Sequence, residues 1–215
     1  MRMRRKPNLK SRVERCASFL IAEPQTLRSS WLEDFSFGEI HIELGCGKGL
    51  FTVETAKSNP DIFFIALEKI TNVLVIALER TEQTRLPNVR FINGLAEDFL
   101  DFFEAGEVSR IYINFCDPWP ANRHAKRRLT GRRFLTLYRQ VLKPGGEIHF
   151  KTDNSALFEF SLSEFEQFGF VLSEKTSDLH QFGSVGIMTD YEKNFHEQGL
   201  PIYRCVLRDK QYDFK

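Results

Sequence analysis

The sequence has no apolar run near the roughly 18 residues that a membrane-crossing helix needs. It has only four cysteines in 215 residues, Cys16, Cys46, Cys116 and Cys205, and no CxxC pair. A zinc site is therefore not expected, and no metal is assigned. Scattered thiols of this kind suit a reducing cytoplasm, where they act as small packing residues. The glycine-lysine-serine/threonine signature of a P-loop is missing, and so are internal repeats and low-complexity tracts. The N-terminus, MRMRRKPNLK, is basic but has no apolar stretch behind it. It is not read as a secretory signal.

Net charge is also scarce, at +1, but the total conceals an uneven distribution. Residues 1–15 hold seven Lys or Arg and one acid, and residues 121–133 hold six Lys or Arg and no acid. The remainder of the chain is correspondingly acidic. An acidic body with two concentrated basic patches is the charge pattern of a polyanion binder; the alternative for either patch is a solvated charged face.

What is present is core. Hydrophobic residues make up 42% of the chain, which suits one α/β domain, residues 31–215, with residues 1–30 as a basic arm or an extra helix. Strand-like stretches are EIHIEL (39–44), IFFIALE (62–68), NVRFIN (88–93), RIYINF (110–115), EIHFKT (147–152) and IYRCVLRD (202–209). Helical spacing falls between them, at 50–58, 71–85 (capped by Thr71 or Asn72), 96–104, 132–142 and 156–169. This alternation predicts a doubly wound, mostly parallel sheet with helices on both faces and ligands bound beyond the carboxyl ends of the strands.

Between the first of these strands and its helix lies ELGCGKGLF, with Gly45, Gly47 and Gly49. Glycines there permit tight turns and close approach of a ligand to a helix N-terminus. Leu50 stands where the dinucleotide fingerprint has its third glycine, so a nicotinamide enzyme fits worst. Glu68 ends the next strand, where a carboxylate can accept from both ribose hydroxyls of an adenosine group. Glu43 lies inside a strand that should be buried. It needs a polar or cationic partner, and a ligand ammonium or sulfonium would serve.

One further element is unusual. NFCDPWPANRH places Asp117 at the end of a strand, followed by Pro118, Trp119 and Pro120, and then by the basic run. The prolines fix their own φ and push Asp117 and Trp119 toward extended backbone, giving a stiff turn with one carboxylate at the strand tip. Trp119 either walls a pocket or packs beneath it. His124 and His180 have no partner pattern for acid–base work and read as structural or surface residues.

ELGCGKG, with the acid after IFFIAL, resembles the cofactor site of class I S-adenosylmethionine-dependent methyltransferases, a Rossmann-like fold with an antiparallel last strand. With NFCDPWP, RHAKRR, FKTDN and TDYEKNF added, residues 35–208 resemble the bacterial tRNA (guanine-N7-)-methyltransferase family, which methylates a guanine in the tRNA variable loop. The resemblance implies S-adenosyl-L-methionine as cofactor and tRNA as partner, in the cytoplasm, with no membrane and no obligate protein partner. It implies cofactor contacts from Glu43, Gly45, Gly47, Gly49, Glu68, Leu95 and Asp117, the last also being catalytic. It implies substrate contacts from Ala121, Arg123, Lys126, Arg127, Arg128, Asp153, Thr189, Asp190, Tyr191 and Glu192. Two positions depart from the family pattern. Leu95 replaces an acid near the adenine, leaving that contact to backbone or to Glu97. Ala121 replaces a lysine after DPWP, with Arg123 nearby to compensate. The other readings are a methyltransferase of another RNA or of protein, and a non-catalytic RNA-binding module that keeps the fold.

Overall fold

The computed structural model describes residues 6–209. One eight-stranded sheet organises them. Its strands in chain order are β1 (Leu20–Ile21), β2 (Glu39–Leu44), β3 (Ile62–Leu67), β4 (Val89–Ile92), β5 (Val108–Asn114), β6 (Leu142–Thr152), β7 (Phe170–Thr176) and β8 (Tyr203–Asp209). Their spatial order is β1-β4-β3-β2-β5-β6-β8-β7. β1 to β6 pair in parallel, and β8 runs antiparallel between β6 and β7. The helices are α1 (Leu9–Arg15), α2 (Trp31–Phe35), α3 (Leu50–Ser58), α4 (Thr71–Thr84), α5 (Phe99–Phe102), α6 (Arg132–Val141), α7 (Ser155–Phe168) and α8 (Asp190–Glu197).

The central strands are mostly buried because both faces are covered, and β3, IFFIAL, is apolar throughout. On β3, Phe63, Ile65 and Leu67 enter one core cluster with Trp31, Phe99, Phe103 and Tyr138, while Phe64 and Ala66 enter another with Leu74, Ala77 and Leu78 of α4. The chain builds outward from β2 through β3 to β4, then returns to place β5 on the other side of β2. The strand order therefore reverses between β2 and β5, where an open α/β sheet leaves a crevice.

Residues 6–30 join this fold, unlike the sequence reading that left them outside the alternating pattern. β1 pairs with β4 at the sheet edge, Leu20 opposite Phe91, and is too short at two residues to show a pattern of its own. α1 lies on α4: the Arg12 Nε and Nη2 donate to Glu79 at 2.8 and 2.6 Å, and Arg15 Nη2 to Glu79 at 3.1 Å. Part of the N-terminal basic patch is thus neutralised by acids of the domain; residues 1–5 lie outside the described residues. The 96–104 helix is shorter than its spacing suggested: a 3₁₀ turn, Ala96–Asp98, leads into α5. Neither Thr71 nor Asn72 caps α4. Ile70 is its N-cap residue, and its N–H donates to Glu68 Oε1 at 2.9 Å.

Candidate cofactor and substrate crevice

The glycine loop leaves β2 with Gly45 and Cys46 both donating N–H to Leu67 O, at 2.9 and 3.0 Å, which pins the loop across the tip of β3. Gly45, Gly47 and Gly49 have φ of 72°, 58° and 75°. Their reasons differ. A Cβ on Gly49 would stand 2.6 Å from Ala77 Cβ, so this glycine lets α3 pack on α4. A Cβ on Gly45 or Gly47 would meet nothing within 4 Å. Those two carry left-handed backbone and leave the space above them open to a ligand.

Glu68 sits under this loop. Gly47 N donates to its Oε2 at 3.1 Å and Ile70 N to its Oε1 at 2.9 Å. Two backbone donors fix the carboxylate, and each oxygen keeps acceptor capacity. Glu43 is buried one strand away. Its oxygens accept from Thr52 Oγ1 and, at 3.0 Å, from Asn114 Nδ2, so its needed partners are polar groups of the protein itself. Burial pushes the Glu43 carboxyl up, and the two hydrogen bonds oppose that shift. Asn114 Oδ1 is buried and has no hydrogen-bond partner. Such an atom is costly unless a donor arrives.

Two cavities meet here, sharing Gly45, Val73 and Phe115. The first, about 530 Å³, is lined by three acids, Glu68, Glu97 and Asp117, and three bases, Lys69, Arg127 and Arg133. The second, about 340 Å³, is lined by Glu43, the glycine loop, Asn114 and the start of α8. Phe115 has φ 53°, unusual for a bulky residue, and its ring lies 5.2 Å from Tyr191. Its N–H is held by Lys151 O at 2.9 Å.

Asp117 stands at the tip of β5 with its side chain 68% exposed, and Lys69 Nζ lies 3.6 Å from its Oδ2. Lys69 was not singled out from sequence; only the parallel pairing of the intervening strands brings the tips of β3 and β5 together. The turn after Asp117 is not extended at both pre-proline positions: Trp119 has φ 42°. Arg128 explains how this is held. Its Nε donates to Pro118 O at 3.1 Å, its Nη2 to Trp119 O at 2.9 Å, and its guanidinium lies 4.2 Å from the centre of the Phe160 ring. Arg128 is therefore turned inward as the brace of the turn, and is not on the basic surface expected for it. Arg123, Lys126 and Arg127 are exposed. Arg127 lies 4.8 Å over the Trp119 ring, which lines the larger cavity and so walls it. Ala121 is the N-cap residue of the 3₁₀ turn Asn122–Arg127.

The remaining expected residues divide into two groups. Asp190 pairs with Arg80 at 3.1 Å, and Tyr191 is half exposed, stacked on Phe195 with ring centres 4.8 Å apart. Burial and the nearby Asp153 carboxylate push the Tyr191 phenol up. Thr189, Asp190 and Tyr191 line the smaller cavity. Glu192 does not. It is fully buried, its two oxygens 3.2 and 3.1 Å from Lys151 Nζ and Oε1 2.9 Å from His180 Nε2. It also completes a capping box with Thr189, whose Oγ1 accepts from Glu192 N at 2.9 Å. Its contact set is an anchor for α8 and not a pocket lining. Leu95 is exposed at the rim of the larger cavity, its N–H already donating to Asp98 Oδ2 at 3.3 Å; Glu97 shares the rim.

The residues fit a nucleoside-linked amino acid ligand: an open glycine turn, a ribose-type carboxylate at the tip of β3, and a buried unpartnered acceptor on Asn114, a residue that lines the smaller cavity. Fold and site together define a class I S-adenosylmethionine-dependent methyltransferase. Among solved structures, the fold matches the 16S rRNA methyltransferase KamB with TM-score 0.64 at 14% identity, covering 84% of this chain and 93% of that one. It also matches TrmN from Thermus thermophilus with TM-score 0.57 at 21% identity, covering 86% and 48%. A family model described as "Putative methyltransferase" matches residues 38–205. The chain is 48% identical over 214 residues to a tRNA (guanine-N(7)-)-methyltransferase of Geobacillus thermodenitrificans, covering 98% of this chain and 99% of the relative. It is 48% identical over 206 residues to that of Bacillus cytotoxicus, covering 95% of each. The chain belongs to the tRNA (guanine-N7-)-methyltransferase family.

Proposed function

We propose that this protein transfers a methyl group from S-adenosyl-L-methionine to N7 of guanine in the variable loop of tRNA. The observation that carries the reading is the junction of the two cavities at Phe115. Glu68 and Asp117 flank one side of that junction, and Tyr191 flanks the other. When bound, the donor supplies an electrophilic methyl on a cationic sulfur. Glu68 would accept from its ribose hydroxyls, and Asn114, whose Oδ1 has no partner, would accept from its ammonium.

Guanine N7 already carries an available lone pair, so the site needs no general base. That pair would form the new N–C bond as the donor's methyl–sulfur bond gives its electrons to sulfur, so the positive charge would pass to the guanine. The protein's part is to align the base and to favour that charge. Asp117, exposed at the crevice tip, does the second; displacing Lys69 from an exposed ion pair costs little. Asp153, Thr189, Asp190 and Tyr191 shape the guanine pocket, with a carboxylate accepting from the N1 and N2 protons. Arg123, Lys126 and Arg127 meet phosphates. The described cysteines are all free, which supports a cytoplasmic setting.

The test is incubation of the purified protein with isotope-labelled donor and unmodified tRNA, followed by nucleoside identification. Label in 7-methylguanosine supports the reading. Label in another nucleoside, or in protein, overturns it.

A further inference from the structure

The chain contains 21 phenylalanines. Among the described residues only Phe182 falls in the exposed class, and it is 95% exposed. The placement of Phe182 is also specific. It sits in the loop His180–Gly186, with Gly183 at φ 115° directly after it and Gly186 at φ 66° at the loop's end, conformations that suit glycine and turn the chain sharply.

That loop is closed by one imidazole. Gly183 N donates to His180 O at 3.0 Å, and Val185 N donates to His180 Nδ1 at 3.1 Å. With Nδ1 accepting, Nε2 carries the proton and donates to Glu192 Oε1 at 2.9 Å. Glu192 is held in turn by Lys151 of β6, whose Nζ also donates to Ile187 O at 3.3 Å. Before the loop, Leu179 N donates to Ile202 O at 2.8 Å. Both ends of the loop are therefore fixed to the sheet and to α8, and Phe182 projects from a braced base. The loop then runs through Ile187 into Thr189, Asp190 and Tyr191, which line the cavity beside Glu43. Phe182 is thus only seven positions along the chain from Thr189 at the cavity wall.

We propose that the 180–186 loop is a stacking finger, with the Phe182 ring as the platform for an unpaired base of the RNA substrate and the His180–Glu192–Lys151 cluster as its brace. This rests on the tRNA reading above. Aromatic side chains receive splayed bases in single-stranded RNA regions without reading their sequence, because every base has a π face. The finger would then hold a neighbour of the target guanine while the pocket selects the guanine itself.

The test uses the full chain, unmodified tRNA and labelled donor, with Phe182→Ala, Phe182→Leu and Phe182→Trp. Phe182→Ala should weaken tRNA binding roughly 5- to 150-fold, the range for one lost base stack. It should leave turnover at saturating tRNA, donor affinity and the salt dependence of binding unchanged, since no phosphate contact is removed. Phe182→Trp should bind like the wild type. Wild-type affinity in Phe182→Ala, or in Phe182→Leu, overturns the stacking role while wild-type methylation leaves the tRNA reading standing. A change confined to self-association of the free protein makes the ring a protein contact and overturns the proposal. Failure of the wild type itself to methylate tRNA removes both.

Discussion

Glu192 and Lys151 form a buried ion pair at 3.1 Å that ties α8 to β6. Burial pushes the Lys151 ammonium down, and Glu192 opposes that shift. Removing one partner strands the other charge. Glu192→Gln should cost about 3–5 kcal/mol, the range for breaking a buried pair. Urea unfolding checks this; a loss below about 1 kcal/mol would show that the carboxylate is not the anchor.

Glu68 is held by the N–H groups of Gly47 and Ile70. Glu68→Ala should weaken donor binding about tenfold or more, since hydrogen bonds to a charged acceptor are worth about 1.5–3 kcal/mol. Calorimetry with the donor measures it. Unchanged affinity removes Glu68 from the ribose role.

The basic run should behave as two populations. Neutralising Arg123, Lys126 and Arg127 should flatten the salt dependence of tRNA binding by about 0.7–0.9 per lost phosphate contact. Arg128→Met should instead lower thermal stability, because Pro118 O and Trp119 O lose their donor. Equal effects of all four on the salt slope would contradict the inward placement of Arg128.

His41 and His149 lie on either side of Tyr112, their ring centres 5.9 and 5.2 Å from its own. Burial pushes both down to about 4, with Arg110 adding to the shift and Glu39 and Glu147 opposing it. Unfolded histidine titrates near about 6.5. Between about pH 6.5 and 4 the unfolded chain binds protons that the folded chain does not, so stability falls as pH falls. The slope is up to about 1.4 kcal/mol per pH unit for each histidine. Urea unfolding across this window should show a smaller slope in His149→Gln than in the wild type; identical slopes would mean that His149 is not buried in its neutral form.

The sequence was most legible where periodicity and local chemistry agree. Fully buried strands such as Ile62–Leu67 read as continuous apolar runs, and the glycines after β2 marked a turn needing positive φ. β7 escaped notice because FVLSEKT, the edge strand of the sheet, is largely exposed and mixes polar with apolar residues. Lys69 and Asn114 escaped because their roles depend on which strands become neighbours. Arg127 and Arg128 are alike in sequence but opposite in orientation, a difference set by the 3₁₀ turn between them and Ala121. Glu192 carried a signal that was there to read: Thr-x-x-Glu is a capping box, which turns the glutamate back onto the helix start.

The central claim is that the carboxylate at the tip of β5 acts through its charge. Asp117→Asn keeps the size and removes the charge. Single-turnover methylation of saturating unmodified tRNA, with donor also saturating, measures the consequence directly. The account predicts a rate lower by roughly 10²–10³, typical of losing an electrostatic transition-state contact, with tRNA affinity retained. A near-normal rate would contradict it and leave Asp117 a role in positioning alone.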